Sequence, residues 1–375
     1  MSYRYPASFI DPGLNTLVPP TPTTLYNLYS WGRNNNGQLG LGNTTLYSSP
    51  VQLGSLTDWS QVSSGIYHTL AIKTNGTLWS WGYNGVGSLG LGDTTNRSSP
   101  VQVGALTNWL SVSAGYQISA AIKTNGTLWT WGANGFGQGG LGNTTYYSSP
   151  MQVGALTNWA KVYAGYNSTF AIKTDGTLWS WGRGTNYQLG LGNTTYYSSP
   201  KQVGSGTTWK SVSSMQGAFG LAVKTDGTMW SWGYNTNGQL GLNSSTYYFA
   251  TPQQIGGLTT WLNVTALYYG GMAIKTNGTL WSWGYGAYGT LGLNNTTQYS
   301  SPKQIGTLTT WKTIALEAYR TVSVLKTDGT LWTWGANNYG QLGLNDTTYR
   351  SSPVQLGTST SWSKSSIRNS GFALG

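Results

Sequence analysis

The segment AIKTNGTLWSWG occupies residues 71–82 and recurs letter for letter at 273–284. Close variants stand between and beyond: AIKTNGTLWTWG at 121–132, AIKTDGTLWSWG at 171–182, AVKTDGTMWSWG at 222–233 and VLKTDGTLWTWG at 324–335. A unit copied at a fixed interval buries its apolar face only by stacking on its neighbours, so the array decides the fold before any single residue does. The register is tight. The second Trp of the motif falls at Trp31, Trp81, Trp131, Trp181, Trp232, Trp283 and Trp334, at intervals of 50 or 51 residues. A second series runs Trp59, Trp109, Trp159, Trp209, Trp261, Trp311 and Trp362, and a third Trp79, Trp129, Trp179, Trp230, Trp281 and Trp332. Together they use all 20 Trp of the chain and leave none for a private active site.

Within each unit, apolar residues flank Asn-Gly or Asp-Gly, a strong hairpin signal, which we read as a type I′ turn with positive φ at both central residues. A strand such as TLAIK therefore turns back into TLWSWG. Upstream, WSQVSSG and WLSVSAG alternate like strands; downstream, GQLGLG and SSPVQVG suggest a short outer strand between glycine-rich bends. Numbered A to D outward, these make four short strands per unit, the pattern of a propeller blade. The last unit stops at SGFALG, where the others continue into a further strand, and LYNLYSWG at 25–32 supplies the missing piece. The sequence thus predicts an all-β, seven-bladed β-propeller over residues 25–375. Its N-terminal strand completes the C-terminal blade and leaves no open sheet edge.

The segments WGRNNNGQLGLG at 31–42 and WGANNYGQLGL at 334–344 resemble the repeat of the regulator of chromosome condensation family, and GIYHT at 65–69 matches its G-x-x-H-T element. The resemblance implies the propeller fold and a rigid disc that binds other macromolecules. Among the relatives it brings in are an exchange factor for a small GTPase and a β-lactamase inhibitor. The near-uniform repeat length leaves no room for the blade insertion that the exchange factor uses as a wedge.

Chemistry is sparse. His68 is the one histidine, and its repeat equivalents are Ile118, Ser168, Phe219, Gly270 and Thr321, so no base or metal partner recurs beside it. Asp175, Asp226 and Asp328 are turn residues interchangeable with Asn, Asp93 and Asp346 replace Asn in the G-N-T-T bend, and Glu317 is the single glutamate. Paired carboxylates for glycoside hydrolysis, a Ser-His-Asp set and metal spacings are missing, and the chain has no cysteine. We therefore expect no enzyme activity, no cofactor and no metal. A net charge of +11 admits anionic partners, yet the 19 basic residues form no run of the kind a nucleic-acid arm carries. No apolar segment is long enough to span a bilayer, and the opening residues lack the apolar stretch of a signal peptide. Lys73, Lys123, Lys173, Lys224, Lys275 and Lys326 precede the hairpin turns and should ring one face, where they keep the strand ends soluble or, on a second reading, meet a polyanion.

The repeats disagree in two places, the A–B turn and the C–D loop, and strand alternation puts both on the face opposite the K-T-[ND]-G turns. Their Tyr, Asn and Arg content resembles that of a binding surface. The expected contact residues are Tyr116, Tyr166, Tyr268, Tyr319 and Arg320 in A–B turns and Arg33, Tyr83, Arg183, Tyr234 and Tyr285 in C–D loops.

Residues 1–24 fall outside the array and hold five of the 12 prolines, which reads as an extended arm with Tyr3, Tyr5, Phe9 and Ile10 as docking anchors. The arm is similar to the openings of marine phage virion proteins. With the Cys-free, Thr/Asn/Gly-rich composition, this leads to the expectation of a phage structural protein on the virion surface, a capsid decoration or tail-fibre-type component. Its partners would be other virion or surface proteins and a host-envelope glycan or receptor, with no nucleic acid and no membrane insertion. The alternative is a bacterial propeller, extracellular or cytoplasmic, that binds or inhibits another protein or a glycan.

Overall fold

The computed structural model describes residues 26–214, 218–315, 320–367 and 370–375. The arm, with Tyr3, Tyr5, Phe9 and Ile10, lies outside them. The chain folds into seven four-stranded antiparallel sheets. One blade runs Trp59–Ser64, His68–Lys73, Leu78–Gly82 and Arg97–Gln102 in that spatial order, which are strands A to D. Strand B is buried along its whole length, whereas strand D is half-exposed. The core therefore lies between blades, with A strands innermost and D strands on the perimeter. A strands are tied across blades by serine hydroxyls, which accept from Ala114 N at 3.0 Å (Ser63) and from Ala164 N at 2.9 Å (Ser113).

The hairpin between B and C differs from a type I′ turn. Only the glycine has positive φ, +78° at Gly76, while Asn75 does not. Gly76 N donates to the Lys73 carbonyl at 2.9 Å and Lys73 N to the Thr77 carbonyl at 3.0 Å, so an ordinary turn is followed by one left-handed residue. The Asn75 side chain instead accepts from Thr77 N and from Thr77 Oγ1, and that hydroxyl accepts from Trp79 Nε1 at 2.9 Å. This chain of bonds explains why [ND]-G-T-L-W is written as one block. Asp serves as well as Asn because the position only accepts.

The second Trp of each motif is buried and latches its blade to the preceding one. Trp81 Nε1 donates to the Gln38 carbonyl, Trp131 to Ser88, Trp181 to Gln138, Trp232 to Gln188, Trp283 to Gln239 and Trp334 to Thr290, at 2.8–3.1 Å. The ring closes as the sequence predicts, with more exchanged than one strand. Leu28–Gly32 pairs with Ser370–Leu374, and Tyr47–Gln52 adds on its outer side. The seventh blade thus takes strands C and D from the start of the described chain and A and B from its end.

Candidate protein-docking face

The two divergent segments meet through the backbone. The first residue after W-G in strand C donates its N–H to the carbonyl of the last A–B turn residue: Tyr83 to Tyr67, Arg183 to Asn167, Tyr234 to Ala218 and Tyr285 to Tyr269, at 2.8–3.1 Å. Both segments therefore lie on one face. In the two A–B turns that are one residue longer, the last residue is left-handed, Ala218 (φ +57°) and Arg320 (φ +73°). Five of the C–D loops are fixed by a buried motif Asn, and Gly184 and Gly286 stand at that position in the other two. Asn34 is fully buried; its Oδ1 accepts from Leu39 N at 2.9 Å and its Nδ2 donates to the Asn43 carbonyl at 3.0 Å. A loop pinned at both ends holds its Arg or Tyr in place at little entropic cost.

On this scaffold the aromatic residues form two groups. In the first, Tyr67 touches Tyr83 (ring centroids 6.1 Å apart) and Tyr116 (5.5 Å), and Tyr116 packs on Tyr166 at 4.1 Å. Arg33 lies over Tyr67 at 5.5 Å and over Tyr339 at 5.2 Å. In the second group, Tyr268 touches Tyr269 at 4.2 Å, Tyr269 meets Tyr285 at 6.3 Å, and Arg320 lies over Tyr268 at 5.2 Å and Tyr288 at 4.3 Å. Leu267, Tyr268, Tyr269, Tyr285, Thr290 and Arg320 line a shallow crevice there. Its enclosed volume of about 10 Å³ takes no more than a water, far below a small-molecule site. Burial, then the neighbouring Tyr166 hydroxyl, pushes the Tyr116 phenol up from its ordinary value.

Of the expected contact residues, Arg33, Tyr83, Tyr116 and Tyr166 belong to the first group and Tyr268, Tyr285 and Arg320 to the second. Arg183 stacks apart, over Phe136 at 5.3 Å, and Tyr234 turns to the perimeter, 5.5 Å from Tyr248. Tyr319 lies outside the described residues. Sequence reasoning missed Tyr67, Tyr269, Tyr288 and Tyr339, which complete the stacks. They stand in the same divergent segments (IYHT, YYGG, YGAY, ANNY), and their aromatic character was the available signal.

The lysines of the opposite face are not a polyanion-facing ring. Each ammonium sits between two indoles: Lys123 is 4.8 Å from the Trp109 ring and 3.7 Å from that of Trp129, and Lys326 is 4.9 Å from Trp311 and 3.7 Å from Trp332. The same arrangement holds Lys73, Lys173, Lys224 and Lys275. Burial lowers the pKa of Lys123 and Lys326 from the usual lysine value. They are packing elements of the blade rather than a solvated rim.

His68 is buried, with Nε2 2.9 Å from Ser119 Oγ, whose hydroxyl donates to the Ser88 carbonyl at 2.7 Å. It spans two blades as a structural bridge. Asp93 and Asp346 pair with Arg97 and Arg350 at the perimeter. Among the described residues no group of three or more His, Asp or Glu side chains is placed to hold a metal ion.

Comparison with known proteins agrees with this architecture. A family model described as RCC1-like domain matches residues 23–271, and one described as the regulator of chromosome condensation (RCC1) repeat matches residues 277–321 and 328–367. The chain belongs to the RCC1-like propeller family. It is 35% identical over 131 residues to the ultraviolet-B receptor UVR8 of Arabidopsis thaliana, covering 34% of this chain and 29% of that protein. It is 31% identical over 137 residues to the RCC2 homologue of Danio rerio, covering 36% and 28%. The matched region is under a third of the length of these relatives. Among solved structures, human WBSCR16 superposes with a TM-score of 0.83 at 20% identity, covering 93% of this chain and 98% of that one. Prp20p of Saccharomyces cerevisiae gives 0.82 at 18% identity, covering 95% and 92%. At such identity these two share the fold alone.

These findings overturn the expectation of a virion protein. The relatives and neighbours named above are RCC1-type proteins of plant, fish, human and yeast, and nothing supports a capsid or tail-fibre role. The physical reason for the error is plain. A Cys-free composition rich in Gly, Thr and Asn is what seven copies of a turn-dense blade require, and it carries no information about a virion.

Proposed function

We propose that this RCC1-like propeller is a non-catalytic docking module that binds other proteins through its Tyr/Arg face. The observation that carries the reading is the pair of stacks in which Arg33 and Arg320 each lie over two tyrosines. Rigid aromatic and Arg side chains are the usual energetic anchors of protein interfaces. Proteins of this fold support it: Prp20p has been examined for binding to Gsp1p and histones, and yeast RCC1 has been seen bound to Kap60.

The test is site-specific photo-crosslinking. A photoreactive phenylalanine at Tyr83 or Tyr285 should give discrete adducts with a protein partner identified by mass spectrometry. The same group at Leu156, exposed in a D–A loop, should not. Adducts from Leu156 with none from Tyr83 or Tyr285 would move the docking face to the other side of the disc.

A further inference from the structure

We infer that the docking face selects an acidic peptide segment, whose carboxylates pair with Arg33 and Arg320 and whose apolar side chains lie on the tyrosines between. This deepens the docking proposal and rests on it. Neither guanidinium has a hydrogen-bond acceptor among the described residues, and the Nε of each is buried. The other described arginines are engaged: Arg97 and Arg350 with their aspartates, and Arg183 with Thr185 Oγ1 at 2.9 Å. Each guanidinium lies over two rings, and the terminal N–H edge beyond its buried Nε has no acceptor among the described residues. A planar, bidentate carboxylate matches that edge.

Charge placement points the same way. Among the described residues, Asp58, Asp175, Asp226 and Asp328 belong to the opposite face, and Asp93 and Asp346 are neutralised by their own arginines. The described carboxylates thus lie away from the two arginines, while Glu317, which precedes Arg320 in sequence, falls outside the described residues. A phosphate backbone would need a continuous basic track. Here the six lysines before the hairpin turns are locked between Trp rings on the other side of the disc, and the arginines stand in separate stacks. Two spaced cations set among tyrosines fit spaced carboxylates and apolar side chains better than a polyanion.

The probe is a fluorescein-labelled decapeptide of alternating Glu and Tyr, measured by fluorescence anisotropy against the intact protein. Controls are the Gln/Tyr peptide, the Lys/Tyr peptide and a twelve-residue oligothymidine. The Glu/Tyr peptide should bind at least tenfold more tightly than the other three. The double variant Arg33→Gln/Arg320→Gln should lose about tenfold and most of the salt dependence, with circular dichroism unchanged. Arg33→Lys/Arg320→Lys should recover only part of it, and Lys201→Gln on an exposed D strand should bind as the parent does. Equal binding of the Gln/Tyr peptide, or full binding by the Gln double variant, overturns the inference. If that neutral binding is also lost in Tyr116→Ser/Tyr268→Ser, the face still docks protein and only the acidic assignment falls. Tighter binding of oligothymidine would replace the peptide with a nucleic acid. Should the double Gln variant fail to fold, the salt dependence of the parent protein decides: affinity indifferent to salt also overturns the inference.

Discussion

Trp31 Nε1 donates to the carbonyl oxygen of Gln341 at 2.9 Å, joining residues 310 positions apart. It is the seventh copy of the latch that each blade makes to the one before it, and it is the copy that shuts the ring. Both partners are buried, so removing the donor strands a carbonyl where water does not reach.

Trp31→Phe should therefore cost about 1–3 kcal/mol in a urea titration, from the unmet acceptor and the smaller ring. Trp181→Phe, an internal latch, should cost a similar amount within a single cooperative transition. Deleting residues 1–32 should abolish cooperative unfolding, because it removes strand C of the closing blade, whereas deleting 1–24 should leave the melting curve unchanged. Identical curves for both truncations would mean that the ring does not depend on the exchanged strands.

Much of this fold was legible because the signal was written seven times. Repeat spacing located the blades, and the broken last unit located the closure at Leu28–Gly32. What failed were the inferences that depend on where a side chain goes once the strands of a blade are paired. Lys123 looks like a strand-end lysine in one repeat, and only the arrival of Trp109 from strand A and Trp129 from strand C makes it a buried clamp. Asn75-Gly76 looks like a two-residue turn until the Asn side chain is seen bonding Thr77. The docking face was half legible. Divergence among copies marked the right loops, but the pairing of Arg33 with Tyr339, one blade away, depends on ring closure that no local pattern carries.

The lysine clamps make a prediction opposite to that for a soluble rim. Lys173 lies 3.8 Å from the Trp179 ring centroid and 5.0 Å from that of Trp159. Lys173→Ala should lose the cation–π attraction and the packed stem, about 1–3 kcal/mol by thermal melting. Lys173→Met keeps the volume and a sulfur–ring contact and should lose less. A change within about 0.5 kcal/mol for the Ala variant, as at an ordinary surface site, would show that the stacking is energetically idle.

Two glycines separate backbone conformation from space. Gly140 (φ +73°) faces Trp181, and a Cβ there would sit 2.7 Å from the indole Nε1 that is itself bonded to Gln138. Gly154 (φ +58°) has nothing within 4 Å of such a Cβ. Gly154→Ala should cost about 1–2 kcal/mol, the penalty for a left-handed L-residue. Gly140→Ala should cost more, because the latch must shift to admit the methyl. Equal losses would mean that the Trp pocket yields freely.

Lys364, in strand A of the closing blade, donates from Nζ to the Ser60 carbonyl at 2.8 Å across the blade boundary. Burial lowers its pKa to about 8, below its ordinary lysine value of 10.5. The sign follows from proton counting. Between about pH 8 and the unfolded lysine value, the unfolded chain holds more protons on this residue than the folded one, so this contribution to stability rises with pH through that window. Below it, both states are protonated and the folded state bears the full cost of a buried ammonium. Lys364→Met should therefore stabilise the protein at pH 7, by on the order of 1–3 kcal/mol once the lost hydrogen bond is set against the relieved burial. The advantage should shrink steadily as pH climbs from 8 towards 10.5. Comparing the two proteins at each pH cancels the titration of the tyrosines. A Met variant less stable than the parent at pH 7, with a gap that does not vary with pH, would show that the bond to Ser60 outweighs burial and that Lys364 stays charged in the folded ring.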